Sequence, residues 1–106
     1  MDENQFDHIA DEELRRLSRS LDGFDPDELE ADLSMGVLTI TLGDGQRVVI
    51  NSHRAAGQIW MAAFRKAWHF SPREEAGAWT WRTADAELHD TLSRLLSERF
   101  GRDVRV

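Results

Sequence analysis

"GVLTITLGDGQRVVIN", residues 36–51, alternates with period two on both sides of a Gly-Asp-Gly turn. Leu38, Ile40 and Leu42 fall on one side, while Val37, Thr39 and Thr41 fall on the other, which is the pattern of a half-buried strand. Residues 43–45, "GDG", supply the positive φ angles that a tight hairpin needs, and "QRVVIN" returns as the second arm. A short hairpin joins only antiparallel strands, so the sheet grows as a meander rather than through helical crossovers.

The same period extends outward from this hairpin. Upstream, Leu29, Ala31 and Leu33 alternate with Glu30, Asp32 and Ser34, and Met35-Gly36 reads as the turn between the two strands. Downstream, "QIWMAA" (58–63) is a fourth strand, and "WHF" (68–70) and "AWTW" (78–81) are two shorter ones. The charged stretch from Ser71 to Gly77, containing Pro72, is expected to be a loop outside the sheet.

At both ends of the chain the period lengthens. Phe6, Ile9, Ala10, Leu14, Leu17 and Leu21 make an apolar stripe on a helix from about residue 4 to about residue 22, stopped by Gly23 and followed by Pro26. Leu88, Leu92, Leu95, Leu96 and Phe100 make another, on a helix from about Asp85 to Phe100 with Gly101 as its C-cap. The 106 residues therefore read as a single domain of the α+β class. Its expected form is a two-layer alpha-beta sandwich, an antiparallel sheet of about six strands with the N- and C-terminal helices packed on one face.

Composition narrows the function. The formal charge of -7 disfavours nucleic acid, which needs a basic surface. The absence of cysteine removes disulfides, thiolate metal sites and cysteine nucleophiles. No apolar run is long enough for a signal peptide or a membrane span, so a cytoplasmic location is expected. Residues 1–32 carry 12 acids against 3 arginines, whereas the remaining 74 residues carry 8 acids and 10 bases. Such asymmetry makes a one-sided field suited to a cation or a basic protein surface.

Most catalytic patterns are missing. His8, His53, His69 and His89 show no paired metal-ligand spacing, and the glycines of residues 43–45 lead into a strand rather than a phosphate-binding helix. The notable cluster is "LDGFDPDELEAD", residues 21–32, which places Asp22, Asp25, Asp27, Glu28, Glu30 and Asp32 together with no basic residue among them. Carboxylates are hard ligands for cations, but the spacing is not that of an EF-hand. The stretch reads either as a solvated face or as an open, weak cation site or docking surface. A second candidate is Trp60: with Ile59 and Met61 pointing inward, Gln58 and Trp60 point to the uncovered sheet face, within reach of Asn51. It reads as a binding hot spot or as packing against neighbouring strands. Trp68, Trp79 and Trp81 read as core or sheet-face packing, and His69 and His89 as surface or hydrogen-bonded residues.

In this order, "GVLTIT", then Asp-Gly, then a strand ending in Asn51, then "QIW", with an acidic first helix and a last helix opening "ELHDTL", the sequence resembles the frataxin family, in its bacterial, CyaY-type form. The resemblance implies a role in iron–sulfur cluster assembly. Weakly bound iron (Fe2+ or Fe3+) would sit on Asp22, Asp25, Asp27, Glu28, Glu30 and Asp32, with Asp11 and Glu12 contributing from the helix. The partners implied are the cysteine desulfurase and the scaffold protein, the latter contacted through Asn51, Gln58 and Trp60. It implies no organic cofactor and no enzymatic activity, with a monomer that iron can drive to oligomerise; a ferroxidase or iron-storage role and a metal-independent acidic module are the alternatives. Departures from the family pattern are Gly23, where an aspartate is common, His53 in place of Gln and Ala55 in place of Pro. Asp11 with Arg15 and Glu12 with Arg16 are spaced for helical ion pairs that would occupy those carboxylates locally.

Overall fold

The computed structural model describes all 106 residues. Helix α1 spans Glu3–Ser20 and begins where the Asp2 carboxylate accepts the Gln5 amide at 2.7 Å, satisfying an N-terminal donor that would otherwise lack a partner. Six strands follow: β1 (Leu29–Ser34), β2 (Val37–Leu42), β3 (Arg47–His53), β4 (Gln58–Ala63), β5 (Lys66–Glu75) and β6 (Ala78–Arg82). Helix α2, Leu88–Phe100, closes the fold, and Gly101 ends it at φ 67°, where a side chain would be strained. The sheet order is β1-β2-β3-β4-β5-β6 with every neighbouring pair antiparallel, the expected meander.

Registration puts the apolar positions on one face. Leu38 pairs with Ile50, Ile40 with Val48, and Ile50 with Met61, all buried. Leu14 and Leu17 of α1 and Leu92 and Leu96 of α2 reach the same core and are wholly shielded from solvent. Each such side chain contributes about 1.5–3 kcal/mol by leaving water. Trp81 is buried edge-on to Phe6, centroids 5.8 Å apart, which ties the start of α1 to β6.

Two expectations fail locally. The stretch from Ser71 to Gly77 is not a loop outside the sheet: Ser71–Glu75 is the second half of β5, paired with β6, and only Ala76 and Gly77 turn, both at positive φ. Strand β5 changes neighbours midway, pairing with β4 through Phe70 and with β6 from Ser71 onward. Pro72 is tolerated because β4 pairing has ended, so one of its sides has no ladder to complete. At its other end β5 begins at Lys66, so Trp68 lies inside its strand rather than at its start. The last helix likewise begins at Leu88 rather than Asp85, because Thr83 Oγ1 accepts the amides of Asp85 and Ala86 in a turn and Glu87 then caps the helix.

One close approach sets the position of the acidic turn. The Gly43 amide donates to the Glu28 carbonyl at 2.8 Å, and a Cβ at residue 43 would lie 2.3 Å from the Asp27 carbonyl oxygen. Only glycine lets the β2–β3 hairpin touch the backbone of the turn ahead of β1. Gly43→Ala is expected to destabilise the fold by about 1–3 kcal/mol through this overlap, read as a lower urea midpoint at unchanged slope; an unchanged midpoint contradicts the close packing.

Candidate functional site

The acidic stretch folds as a turn followed by an edge strand. Asp25 Oδ1 accepts the Asp27 amide at 2.9 Å, and the Asp25 carbonyl accepts the amides of Glu28 and Leu29 at 2.8 and 3.1 Å. This aspartate-led turn delivers the chain into β1, which has β2 as its only neighbour in the sheet. Leu29 is buried, so Glu30 and Asp32 point outward and are exposed. Asp22, Asp25 and Asp27 are exposed beside them.

No ion pair engages Asp22, Asp25, Asp27, Glu30 or Asp32. Alternate residues of a strand lie about 7 Å apart, where two carboxylates repel by about 0.6 kcal/mol in water. A cation or a basic surface relieves that repulsion. The carboxylates run along an edge rather than converging: no three acidic or histidine side chains are placed to enclose one metal ion.

The other residues of the expected ridge are engaged elsewhere. Glu28 is held by Arg102, Nη1 and Nη2 lying 2.5 and 3.0 Å from its two oxygens, and hydrogen bonding to that guanidinium holds its carboxyl below the usual glutamate value of 4.5. Asp11 pairs with Arg15 at 3.0 Å, as its spacing implies. The expected Glu12–Arg16 pair does not form: Glu12 faces His8 at 3.6 Å, and Arg16 turns to Glu13 at 3.7 Å because Glu13 is buried one position on.

The uncovered sheet face carries the second site. Asn51 pairs with Trp60 and Trp60 with His69, so these three side chains form a row across β3, β4 and β5. Trp60 is half-buried rather than fully exposed: His53 stacks on one face at 3.8 Å between centroids and 15° between planes, and His69 on the other at 4.2 Å and 12°. Its indole Nε1 donates to Gln58 Oε1 at 2.8 Å, and Gln58 Nε2 donates to Ser71 Oγ at 3.1 Å. Trp60 thus packs on its neighbours and still belongs to the solvent-facing surface, with little rotational freedom left to lose on binding.

Sequence reasoning placed Asn51, Gln58 and Trp60 on one face but missed His53 and His69 as the clamps. Their signal was the period: Trp68 and Phe70 point inward, which obliges His69 to point outward, and His53 follows Asn51 by two. It also missed Glu13, which lies on the apolar stripe four residues after Ile9 and four before Leu17 and is almost fully buried against His89.

A frataxin-like domain model matches residues 1–102. The chain therefore belongs to the frataxin family. It is 35% identical over 106 residues to the iron–sulfur cluster assembly protein CyaY of Ralstonia nicotianae, covering 96% of this chain and 91% of that one. To the CyaY of Dechloromonas aromatica it is 33% identical over 105 residues, covering 98% and 97%. The frataxin from Psychromonas ingrahamii has the same fold, with a TM-score of 0.82 at 18% identity over 99% of this chain and 97% of that one. No helix is long and apolar enough to cross a membrane.

The Glu28–Arg102 pair gives a pH prediction. A carboxyl held low in the folded state stabilises it above the unfolded value of about 4.5. That stability is lost as pH falls through the lower folded value. Arg102→Ala is expected to return the Glu28 titration, followed by carboxyl carbon resonances, towards 4.5. An unmoved titration shows that the pair does not persist in solution.

Proposed function

We propose that this protein acts in iron–sulfur cluster assembly as a non-enzymatic regulator in the cytoplasm, binding iron weakly through its acidic edge and docking on the cysteine desulfurase and scaffold complex. The observation that carries the reading is the unpaired carboxylate row of Asp22, Asp25 and Asp27 in the turn and Glu30 and Asp32 on β1, the edge strand of the sheet that also carries the clamped Trp60. Kinship with proteins named for iron–sulfur cluster assembly supports it.

The two surfaces suit different ligands. Oxygen donors strung along an edge hold a hard cation by one or two carboxylates, water completing its shell, and such a site is weak and exchangeable. The same row attracts a basic protein surface at a rate that falls with salt. Iron here is cargo or signal, handed over or sensed rather than kept. Trp60, with Asn51 and Gln58 beside it, offers an aromatic anchor for the scaffold. Ferroxidase or storage chemistry fits less well, because a di-iron centre needs bridging carboxylates converging inside a helical bundle, and this ridge is linear and solvent-facing.

The test is an anaerobic amide-resonance titration with ferrous iron, then with purified desulfurase and scaffold at low and high salt. Iron is expected to broaden amides between Asp22 and Asp32, and desulfurase to perturb the same edge in a salt-sensitive way. The double variant Glu30→Lys/Asp32→Lys is expected to weaken both by tenfold or more. Trp60→Arg should weaken scaffold binding while ferrous binding and the cooperative unfolding transition persist. Desulfurase binding unaffected by salt and by charge reversal would overturn the docking role, and iron leaving the edge untouched would overturn the metal role.

A further inference from the structure

Residues 102–106 turn back along α2 and are fastened to it by a series of polar side chains. The Val104 amide donates to Ser97 Oγ at 2.8 Å, Ser97 Oγ donates to the Val104 carbonyl at 3.1 Å, and the Val106 amide donates to Ser93 Oγ at 3.0 Å. Val104 is buried in the core. The last fastening is His89, which stands between the tail and α1: Nδ1 lies 3.0 Å from the Val106 main-chain oxygen, and Nε2 meets the Glu13 carboxylate.

Both ring nitrogens therefore face acceptors, and neither acceptor can donate while Glu13 is ionised. A neutral imidazole has one N–H and would point a lone pair at the other oxygen; only the imidazolium satisfies both. From these contacts we infer that His89 is a charged clasp joining α1, α2 and the tail, and that the end of the tail, at Val106, is loosened when this ring loses its proton.

The surroundings agree on direction. Partial burial of the ring opposes the charge, but the hydrogen bonds to Glu13 and to the Val106 oxygen, with the negative charges of Glu13 and Glu87, outweigh it and raise His89 above its ordinary value of 6.5. From α1 the facing groups are Glu13 and, 3.7 Å from the other Glu13 oxygen, Arg16; from α2 it is the capping Glu87; the tail offers the Val106 oxygen. The proton that leaves is the one on Nδ1, because Nε2 faces the almost fully buried Glu13 carboxylate, whereas the Val106 oxygen that faces Nδ1 belongs to a residue only partly shielded from water. The contact broken is then the one to the tail. His89 remains on Glu13, and α1 stays packed.

The sign follows from the raised value. The clasp is complete below about 6.5, the ordinary histidine value, and opens as pH rises through the higher folded-state value. The tail would thus be closed in acid and loosened in base.

The experiment is a pH series on the full chain from 5.5 to 9.5. It follows the imidazole nitrogen resonances of His89 together with the amide protection factors of Val104 and Val106. The expected result is a ring doubly protonated at the acid end of the series, and protection of Val106 falling at least tenfold over the interval in which Nδ1 deprotonates, while core amides such as Ile50 stay protected. In Glu13→Gln the step is expected to move to lower pH, and in His89→Gln it should vanish. A singly protonated His89 with Val106 still fully protected overturns the proposal, as does protection of Val106 that does not follow Nδ1. The wild-type series decides the matter even if neither variant folds.

Discussion

Two helices with one apolar stripe each share a single face of a six-stranded antiparallel sheet, and that covering is the constraint on which the rest of the molecule depends. Once Leu38, Ile50, Ile59 and Met61 are committed inward, the period of two sends Thr39, Asn51, Gln58 and Trp60 outward without further choice. The outward face has no helix to receive it. Its aromatic residues find partners laterally instead, and Trp60 does so between two imidazoles.

Charge follows the same division. The acids of residues 22–32 gather in the turn after α1 and on the outward side of the edge strand, and the arginines that approach do so at the margins. Arg102 takes Glu28, and Arg54 takes Asp7 and Glu3 at the start of α1, pairing that holds the Asp7 carboxyl below its usual range. Between these margins five carboxylates stand unpaired. An aromatic face and a charged edge thus stand apart on one small domain, and the proposed function assigns each a different ligand.

Strand alternation and helix periodicity were legible in the residues because each is a repeated signal: six positions fix the stripe of α1, and Leu38, Ile40 and Leu42 fix the face of β2. The outward row of Asn51, Gln58 and Trp60 was legible for the same reason, and the family resemblance added a role to it. What escaped was single-residue information. Glu13 interrupts an apolar stripe and is reconciled mainly by His89, 76 positions away, which meets its carboxylate directly. The span Ser71–Glu75 reads as a loop because its charges and Pro72 deny a strand, and only the change of partner from β4 to β6 makes room for them. Glu12 and Arg16 have the right spacing for a pair, yet Arg16 answers to a buried carboxylate beside it.

Strand β1 pairs only with β2, leaving its other side as a row of main-chain donors and acceptors of the kind a second chain could adopt as a template. Glu30 and Asp32 stand on that strand, and Asp25 and Asp27 guard its entrance. Any copy approaching edge to edge brings the same charges with it, so repulsion grows fastest in the one geometry that would build a continuous intermolecular sheet. The carboxylates proposed to take a cation at this edge therefore also oppose that pairing, and neutralising them removes the attraction for a cation and the repulsion between copies together.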